Sequence, residues 1–348
     1  MPLTRQSSSS SISGAGFGTE PRAISSLDFG ATLPYLTRFG GLREAVAGLQ
    51  ALLYTSAQND AHVRRQLVLL ETLVALEDAA PTARYHRLAQ QNLKRWAAAA
   101  PPPTASGRCA VHVLPGDWGA VTLEMTRRYG ATFASLNMAN AFGPGGGYTH
   151  GMVAQEENMF RRTDCHFSLD RADLDVEAVE YPQRHRPMDY EYKAHMTRLL
   201  EAGDGRVYLD TERPRVCVRG PEDRRAADLG YAWLADTEVF PFLELRAAAV
   251  DLRGHGSHAF DDAETARRIG AQLDTLIEKG VRHAVLSAFG CGAFMNPAER
   301  VAAAYRAELE KRATHFDVIA FGIFHAGYGP NNYAPFEAAF EGWGGGGA

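Results

Sequence analysis

Apolar residues recur at helical spacing in the first third of the chain and in strand-length runs beyond it. Val63, Leu67, Leu70 and Val74 follow Asn59-Asp60, which has the chemistry of a helix cap. Pro81 suits another helix start, and Leu88, Leu93 and Trp96 continue an apolar face up to Pro101-Pro102-Pro103, where a helix must stop. Helices are therefore expected from about Gly40 to Ala100. After Gly107 the pattern changes: Cys109 to Leu114, Ala131 to Leu136, Leu245 to Leu252, Val281 to Phe289 and Asp317 to Phe324 read as strands. Val207 to Leu209 and Val216 to Val218 read as two shorter ones. Helices are expected after Asp117-Trp118 with Gly130 as cap, over Gln155 to Arg162, over Asp261 to Lys279, and from Asn296-Pro297 through Leu309. Strands alternating with helices at this spacing imply a layered α/β fold around a central sheet.

Three regions follow from this reading. Residues 1–22 are rich in Ser and Gly, with Ser7 to Ser11 unbroken, and are expected to be disordered. Residues 23–105 form a helical extension without a polar constellation suited to catalysis; its expected role is packing, with partner recognition as the alternative. Residues 106–348 form the α/β domain. Within it, Asp170 to Glu238 is hard to read, and the charged stretch Arg184 to Lys193 suggests an exposed insertion.

Composition removes several function classes. A hydrophobic content of 45% and a charged content of 22% over 348 residues are those of a soluble globular chain. The net charge of −5 argues against a general nucleic-acid surface, though backbone amides can still bind a small phosphate-bearing ligand. Cys109, Cys165, Cys217 and Cys291 are far apart and form no C-x-x-C pair, which disfavours a disulfide framework or a zinc ribbon. Cys165-His166 reads as a helix end rather than a pair of metal ligands. No apolar run is long enough to span a bilayer, and the N-terminus lacks the charged start and apolar core of a secretory signal. The expectation is a cytoplasmic monomer that uses neither metal nor cofactor. The Ser-rich start also fits leaderless secretion into a host cell.

The densest chemistry lies between Leu136 and Arg162. An apolar strand end passes Asn137 and Asn140 and reaches Gly145, Gly146 and Gly147; seven residues later come Gln155, Glu156 and Glu157. Consecutive glycines permit positive φ and close approach to a ligand, with N–H groups exposed for binding. Adjacent carboxylates repel unless one holds a proton or each has a donor. A plain tight turn explains the glycines alone, and a solvated first helical turn explains the acids alone. Together they suggest an anion-binding loop beside an acid/base site. A second glycine loop, Gly290-Cys291-Gly292-Ala293-Phe294, also falls between a strand and a helix.

The Gly-Gly-Gly, seven-residue spacer and Gln-Glu-Glu combination resembles the signature of poly(ADP-ribose) glycohydrolases, a branch of the macrodomain superfamily, in their bacterial type. The resemblance covers about Gly107 to Phe324 and is thin between Asp170 and Glu238. It implies a three-layer α/β/α fold with a mixed central sheet, and a substrate that is ADP-ribose on a protein or polymer, with no direct nucleic-acid or membrane partner. Glu157 would be the acid/base that acts on the bond at C1 of the terminal ribose, and Glu156 would hold the ribose hydroxyls. Gly145 to Gly147, with Gln155 beside them, and Gly290, Cys291, Gly292, Ala293 and Phe294 would hold the diphosphate and ribose. Asp117 would meet the adenine amino group, Phe324 would border adenine, and Asn140 would reach the terminal ribose. The bland alternatives are a helix cap for Asp117, a turn for Asn140, core for Phe294 and a solvated loop for His150. Asn331-Asn332-Tyr333 would border the adenine end. Members of the family often have Asn before the Pro of Pro-Gly-Gly-Gly, where this chain has Gly143. A non-catalytic ADP-ribose reader and a secreted effector with the same chemistry are the competing readings.

Overall fold

The strand pleat sorts this chain into two faces. In β1 (Ala110–Pro115), β2 (Ala134–Met138), β3 (Leu174–Asp175), β4 (Glu191–Tyr192), β5 (Tyr208–Leu209), β6 (Arg215–Cys217), β7 (Phe240–Ala247), β8 (His283–Leu286) and β9 (Val318–Ile323), alternate residues point to opposite sides. Ala134, Leu136, Leu243, Leu245, Ala284, Leu286, Ile319 and Phe321 share one buried cluster, whereas Val285, Val318 and Ala320 belong to another on the opposite face. The computed structural model describes residues 42–55, 61–76, 83–100, 109–175, 191–325, 327 and 329–343. The Ser-rich start, Asn59-Asp60, Pro81, the proline run and residues 184–190 of the charged stretch lie outside them.

The helices α1 (Leu42–Thr55), α2 (Ala61–Leu76), α3 (Arg84–Ala99), α4 (Trp118–Tyr129), α5 (Gln155–Arg162), α6 (Ala194–Leu200), α7 (Asp262–Glu278), α8 (Ala298–Glu310) and α9 (Tyr333–Phe340) cover the sheet. α7, α8 and α9 bury Leu273, Leu276, Val301, Tyr305, Phe336 and Phe340 against the first face. α4 presents Val121 and Met125 to the second face. This is the expected α/β/α sandwich. Strands run in the order β1-β9-β8-β2-β7-β5, and β6 also pairs with β7. β1, β9, β8, β2 and β7 are parallel, and β5 and β6 are antiparallel to β7, so the sheet is mixed as expected.

Local chemistry sets the helix ends. Asp117 Oδ1 accepts the Ala120 N–H at 2.7 Å to start α4, and Gly130 closes it at φ 62°. Asp261 caps α7 in the same way, through the Glu264 N–H at 3.0 Å. One strand differs from expectation. Leu245 to Leu252 was the expected span, but β7 runs from Phe240 to Ala247. The cause is a charged pair inside the strand: Glu244 and Arg246 are buried on the second face and bind each other at 2.7 and 2.9 Å. Asn137, Ser168 and Tyr192 complete their hydrogen bonds, which is the condition for burying such a pair. The helix α9 is a further element that the apolar pattern did not indicate.

The N-terminal helices pack as the sequence suggests. Leu69, Leu70 and Leu73 of α2 share a cluster with Met159 and Phe160 of α5 and with Trp118. Polar ties reinforce this: Thr72 Oγ1 donates to the Arg161 carbonyl at 2.8 Å, and Arg219 pairs with Glu71 at 2.8 Å. Gln66 Nε2 donates to the Thr149 carbonyl at 3.1 Å, in the spacer between the glycines and the acids.

Candidate active site

The loops that carry the candidate residues all leave the carboxyl ends of parallel strands, where open α/β sheets form their crevices. Asp117 follows β1, Asn140 and the glycine triplet follow β2, the second glycine loop follows β8, and Phe324 follows β9. A single cleft is lined by residues from all four loops.

The turn after β2 is built around the two carboxylates. Gly145 and Gly146 have φ of 72° and 57°, a region open to glycine, while Gly147 does not need it at φ −99°. Glu156 accepts the Asn140 N–H at 2.7 Å and the Gly145 N–H at 3.1 Å, one on each oxygen. Glu157 Oε1 accepts the Gly147 N–H at 3.0 Å. Its other oxygen, Oε2, is buried and has no hydrogen-bond partner among the described residues, and Glu157 lines the cleft. Both acids stand in the first turn of α5, where the helix dipole favours negative charge. Burial nonetheless pushes the Glu156 carboxyl well above its ordinary range, and the charge of Glu157 adds to that rise, while the Asn140 N–H opposes it.

The glycine triplet therefore has a different job from the one expected. The Gly146 N–H is bonded to the Gly143 carbonyl at 3.1 Å, and its two neighbours serve the carboxylates, so none of the three N–H groups is left for a diphosphate. Gly145 to Gly147 lie behind the acids and do not line the cleft. Gln155 lines it, yet its amide is committed to β2: Oε1 accepts the Met138 N–H at 2.9 Å and Nε2 donates to the Leu136 carbonyl at 2.8 Å. Asn140 Oδ1 accepts the Phe142 and Gly143 N–H groups at 2.8 and 3.0 Å, the turn-forming role, and the residue also lines the cleft.

The second loop keeps its donors open. Asn296 Nδ2 ties the loop to the carbonyls of Val250 and Gly290 at 2.8 and 3.1 Å. Gly290, at φ 75°, has no room for a Cβ, which would meet Asn296 Nδ2 at 2.5 Å. Among the described residues, none accepts a hydrogen bond from the N–H of Gly292, Ala293 or Phe294. Successive free N–H groups of this kind make an anion-binding concavity. Gly290, Gly292, Ala293 and Phe294 line the cleft, and Cys291 turns inward and is buried. Arg253, which the sequence reading did not single out, stands over the Phe294 ring with its guanidinium carbon 5.1 Å from the centroid.

At the other wall Asp117 is both cap and ion-pair partner. Its Oδ2 binds Arg162 Nη1 at 2.6 Å, and Arg162 lies 4.8 Å from the centroid of Trp118. Phe324 is 50% exposed and lines the cleft, as does Asn332. His150 is absent from the lining and meets Thr149 Oγ1 at 2.8 Å. Trp118, Asn158, Glu222 and Arg224 complete the wall and were not expected from the sequence. Trp118 and Asn158 adjoin expected residues and were within reach of a periodicity argument. Glu222 and Arg224 arrive from the hard-to-read region and carried no local signal. The four cysteines are all buried and unbridged, and no group of His, Cys, Asp and Glu among the described residues has a metal-binding arrangement.

The fold is an α/β/α sandwich with a mixed sheet, and its cleft carries a pair of adjacent carboxylates. Residues 57–196 match the family model of the microbial-type PARG catalytic domain, in line with the resemblance read from the sequence. The match begins at residue 57 and so includes α2 and α3. A structure of poly(ADP-ribose) glycohydrolase from Thermomonospora curvata is similar with a TM-score of 0.51 and 20% identity, covering 79% of this chain and 99% of that one. The same protein bound to the inhibitor ADP-HPD is similar with a TM-score of 0.50 and 21% identity, again over 79% and 99% of the two chains. These likenesses concern the fold. Among curated proteins none matches this chain.

Proposed function

We propose that this chain hydrolyses the bond at C1 of the terminal ribose in poly- or mono-ADP-ribosylated substrates, with Glu157 as acid/base. One observation carries the reading: Glu157 is fixed through Oε1 while Oε2 is buried and unpartnered on the cleft wall. A protonated Oε2 gives its proton to the leaving oxygen as the C1–O bond breaks through an oxocarbenium-like transition state. Water then adds to C1 and returns a proton to Glu157. Glu156, held on both oxygens by backbone N–H groups, retains lone pairs for the ribose hydroxyls. The open N–H groups of Gly292 to Phe294 receive the diphosphate, whose negative charge favours the developing cation. Asp117 and Phe324 then border the adenine.

The family match supports the hydrolytic reading over a reader that binds ADP-ribose without cleaving it. The secreted-effector alternative rests on the Ser-rich start, residues 1–22, which lies outside the described residues. The test is incubation of wild type and Glu157→Gln with poly(ADP-ribose) and with proteins mono-ADP-ribosylated on Arg, Ser or acidic residues. Wild type is expected to release ADP-ribose from at least one of them, and the variant to release none while still binding ADP-ribose in calorimetry. Turnover retained by the variant would remove Glu157 from the mechanism. Binding without release by wild type would make the protein a reader.

A further inference from the structure

The loop between β8 and α8 holds one residue in a conformation that its side chain disfavours. Met295 has φ of 60°, in the left-handed region that an L-residue with a long side chain enters only under constraint. Strain of this kind clusters at functional sites and persists only where the surroundings over-determine it. The Met295 side chain does not account for it, being 63% exposed and not among the residues that line the cleft. What the conformation sets is the path of the backbone. Met295 stands between Phe294, the last of the three residues with open N–H groups, and Asn296-Pro297, where the chain turns into α8.

The constraint comes from Asn296, which is buried and lies outside the cleft lining. Its Nδ2 donates to the Val250 carbonyl at 2.8 Å and to the Gly290 carbonyl at 3.1 Å, which uses both hydrogens, and stands 3.4 Å from the Phe294 carbonyl. Its backbone N–H donates to the Gly290 carbonyl as well, at 3.0 Å. One amide thus ties the start of the loop to its end, and both to the segment that follows β7. Neighbouring bonds agree with this. The Met295 N–H donates to the Gly292 carbonyl at 3.1 Å, and the Leu252 N–H to the Phe294 carbonyl at 3.0 Å. The carbonyls of Gly290, Gly292 and Phe294 are therefore all engaged, while the N–H groups of Gly292, Ala293 and Phe294 have no acceptor among the described residues.

We propose that Asn296 is a positioning residue for the anion-binding loop: its side-chain amide holds Met295 at positive φ and thereby keeps the N–H groups of Gly292, Ala293 and Phe294 open to the cleft before a diphosphate arrives. This rests on the reading of the loop as the diphosphate subsite. Donors arranged in advance need not be ordered when the ligand binds, which raises affinity without a new contact. Without the amide, Met295 relaxes to negative φ and the binding-competent loop becomes a minority population. The apparent affinity then falls by that fraction.

The test is a double-mutant cycle on the full chain, read by calorimetric binding of ADP-ribose. Asn296→Ala is expected to weaken binding at least about tenfold. Met295→Gly should restore most of that loss in the Asn296→Ala background, because glycine takes positive φ without strain, and should bring no such gain where Asn296 is present. A role of Asn296 in the fold alone would not be repaired for ligand binding by a glycine next to it. If Asn296→Ala does not fold, Met295→Val carries the test. A β-branched residue is disfavoured further at positive φ, so ADP-ribose should bind several-fold more weakly although this side chain stands outside the cleft. Unchanged affinity in folded Asn296→Ala, a loss that Met295→Gly does not repair, an equal gain with Asn296 present, or unchanged affinity in Met295→Val overturns the assignment. Wild type that binds no ADP-ribose overturns the diphosphate reading on which it rests, a result distinguishable from the others.

Discussion

A Cβ on Gly146 would stand 2.5 Å from Glu157 Oε1, the same oxygen that accepts the Gly147 N–H at 3.0 Å. Turn and carboxylate thus hold each other in place: the acid fills the space that a side chain would need. Gly146 also has a φ of 57°, which costs an L-residue about 1–2 kcal/mol. Gly146→Ala is expected to lower kcat/KM at least ~100-fold by moving Glu157 from its position, with a smaller loss of stability. Turnover assays beside thermal melts check this. Activity within a few-fold of wild type would show that the turn does not set the acid.

Gly292 offers the opposite case. A Cβ there meets no atom within 4 Å, and the residue is exposed on the cleft wall. Gly292→Ala should melt as wild type does, yet bind ADP-ribose roughly tenfold more weakly, because the methyl hinders approach to three adjacent N–H groups. Calorimetry distinguishes this from an inert position, at which the affinity would not change.

His166 supplies a pH dependence. Its Nδ1 lies 2.7 Å from Tyr148 Oη, and the Tyr148 ring is the group that fills the space at Gly145. Burial pushes His166 down from 6.5 to about 3. The folded protein therefore takes up this proton less readily than the unfolded chain. The stabilising contribution is fully present above pH 6.5 and is lost as pH falls toward 3, with a ceiling on the order of 5 kcal/mol. In urea unfolding at pH 7 and pH 4.5, His166→Gln should lose less stability than wild type between the two. Equal losses would show that His166 does not titrate in this way.

How much the sequence disclosed depended on whether the physics was local. α5 runs from Gln155 to Arg162 as expected, and Gly130 and Asp261 cap their helices as expected, because each rests on neighbours in the chain. β7 was misplaced because Glu244 and Arg246 look solvent-facing in sequence, and only a partner on the adjoining strand and loops makes their burial tolerable. The spacing of the glycines and the acids was legible, but not which N–H groups bind which oxygens. That depends on φ at Gly145 and Gly146, which a string of glycines leaves undetermined. Glu222 was beyond reach for the same reason as β7: its place at the cleft wall is held by Arg65, which is 157 residues away.

The contact of α2 with the spacer has one more consequence. A Cβ on Gly151 would strike the His62 carbonyl oxygen at 2.3 Å, and Gln66 holds the Thr149 carbonyl from the same helix face. The spacer is thus moulded against a surface made from residues 61–76. During synthesis residues 61–76 leave the ribosome before the spacer, so the surface that shapes the spacer is already present in the chain when the spacer emerges.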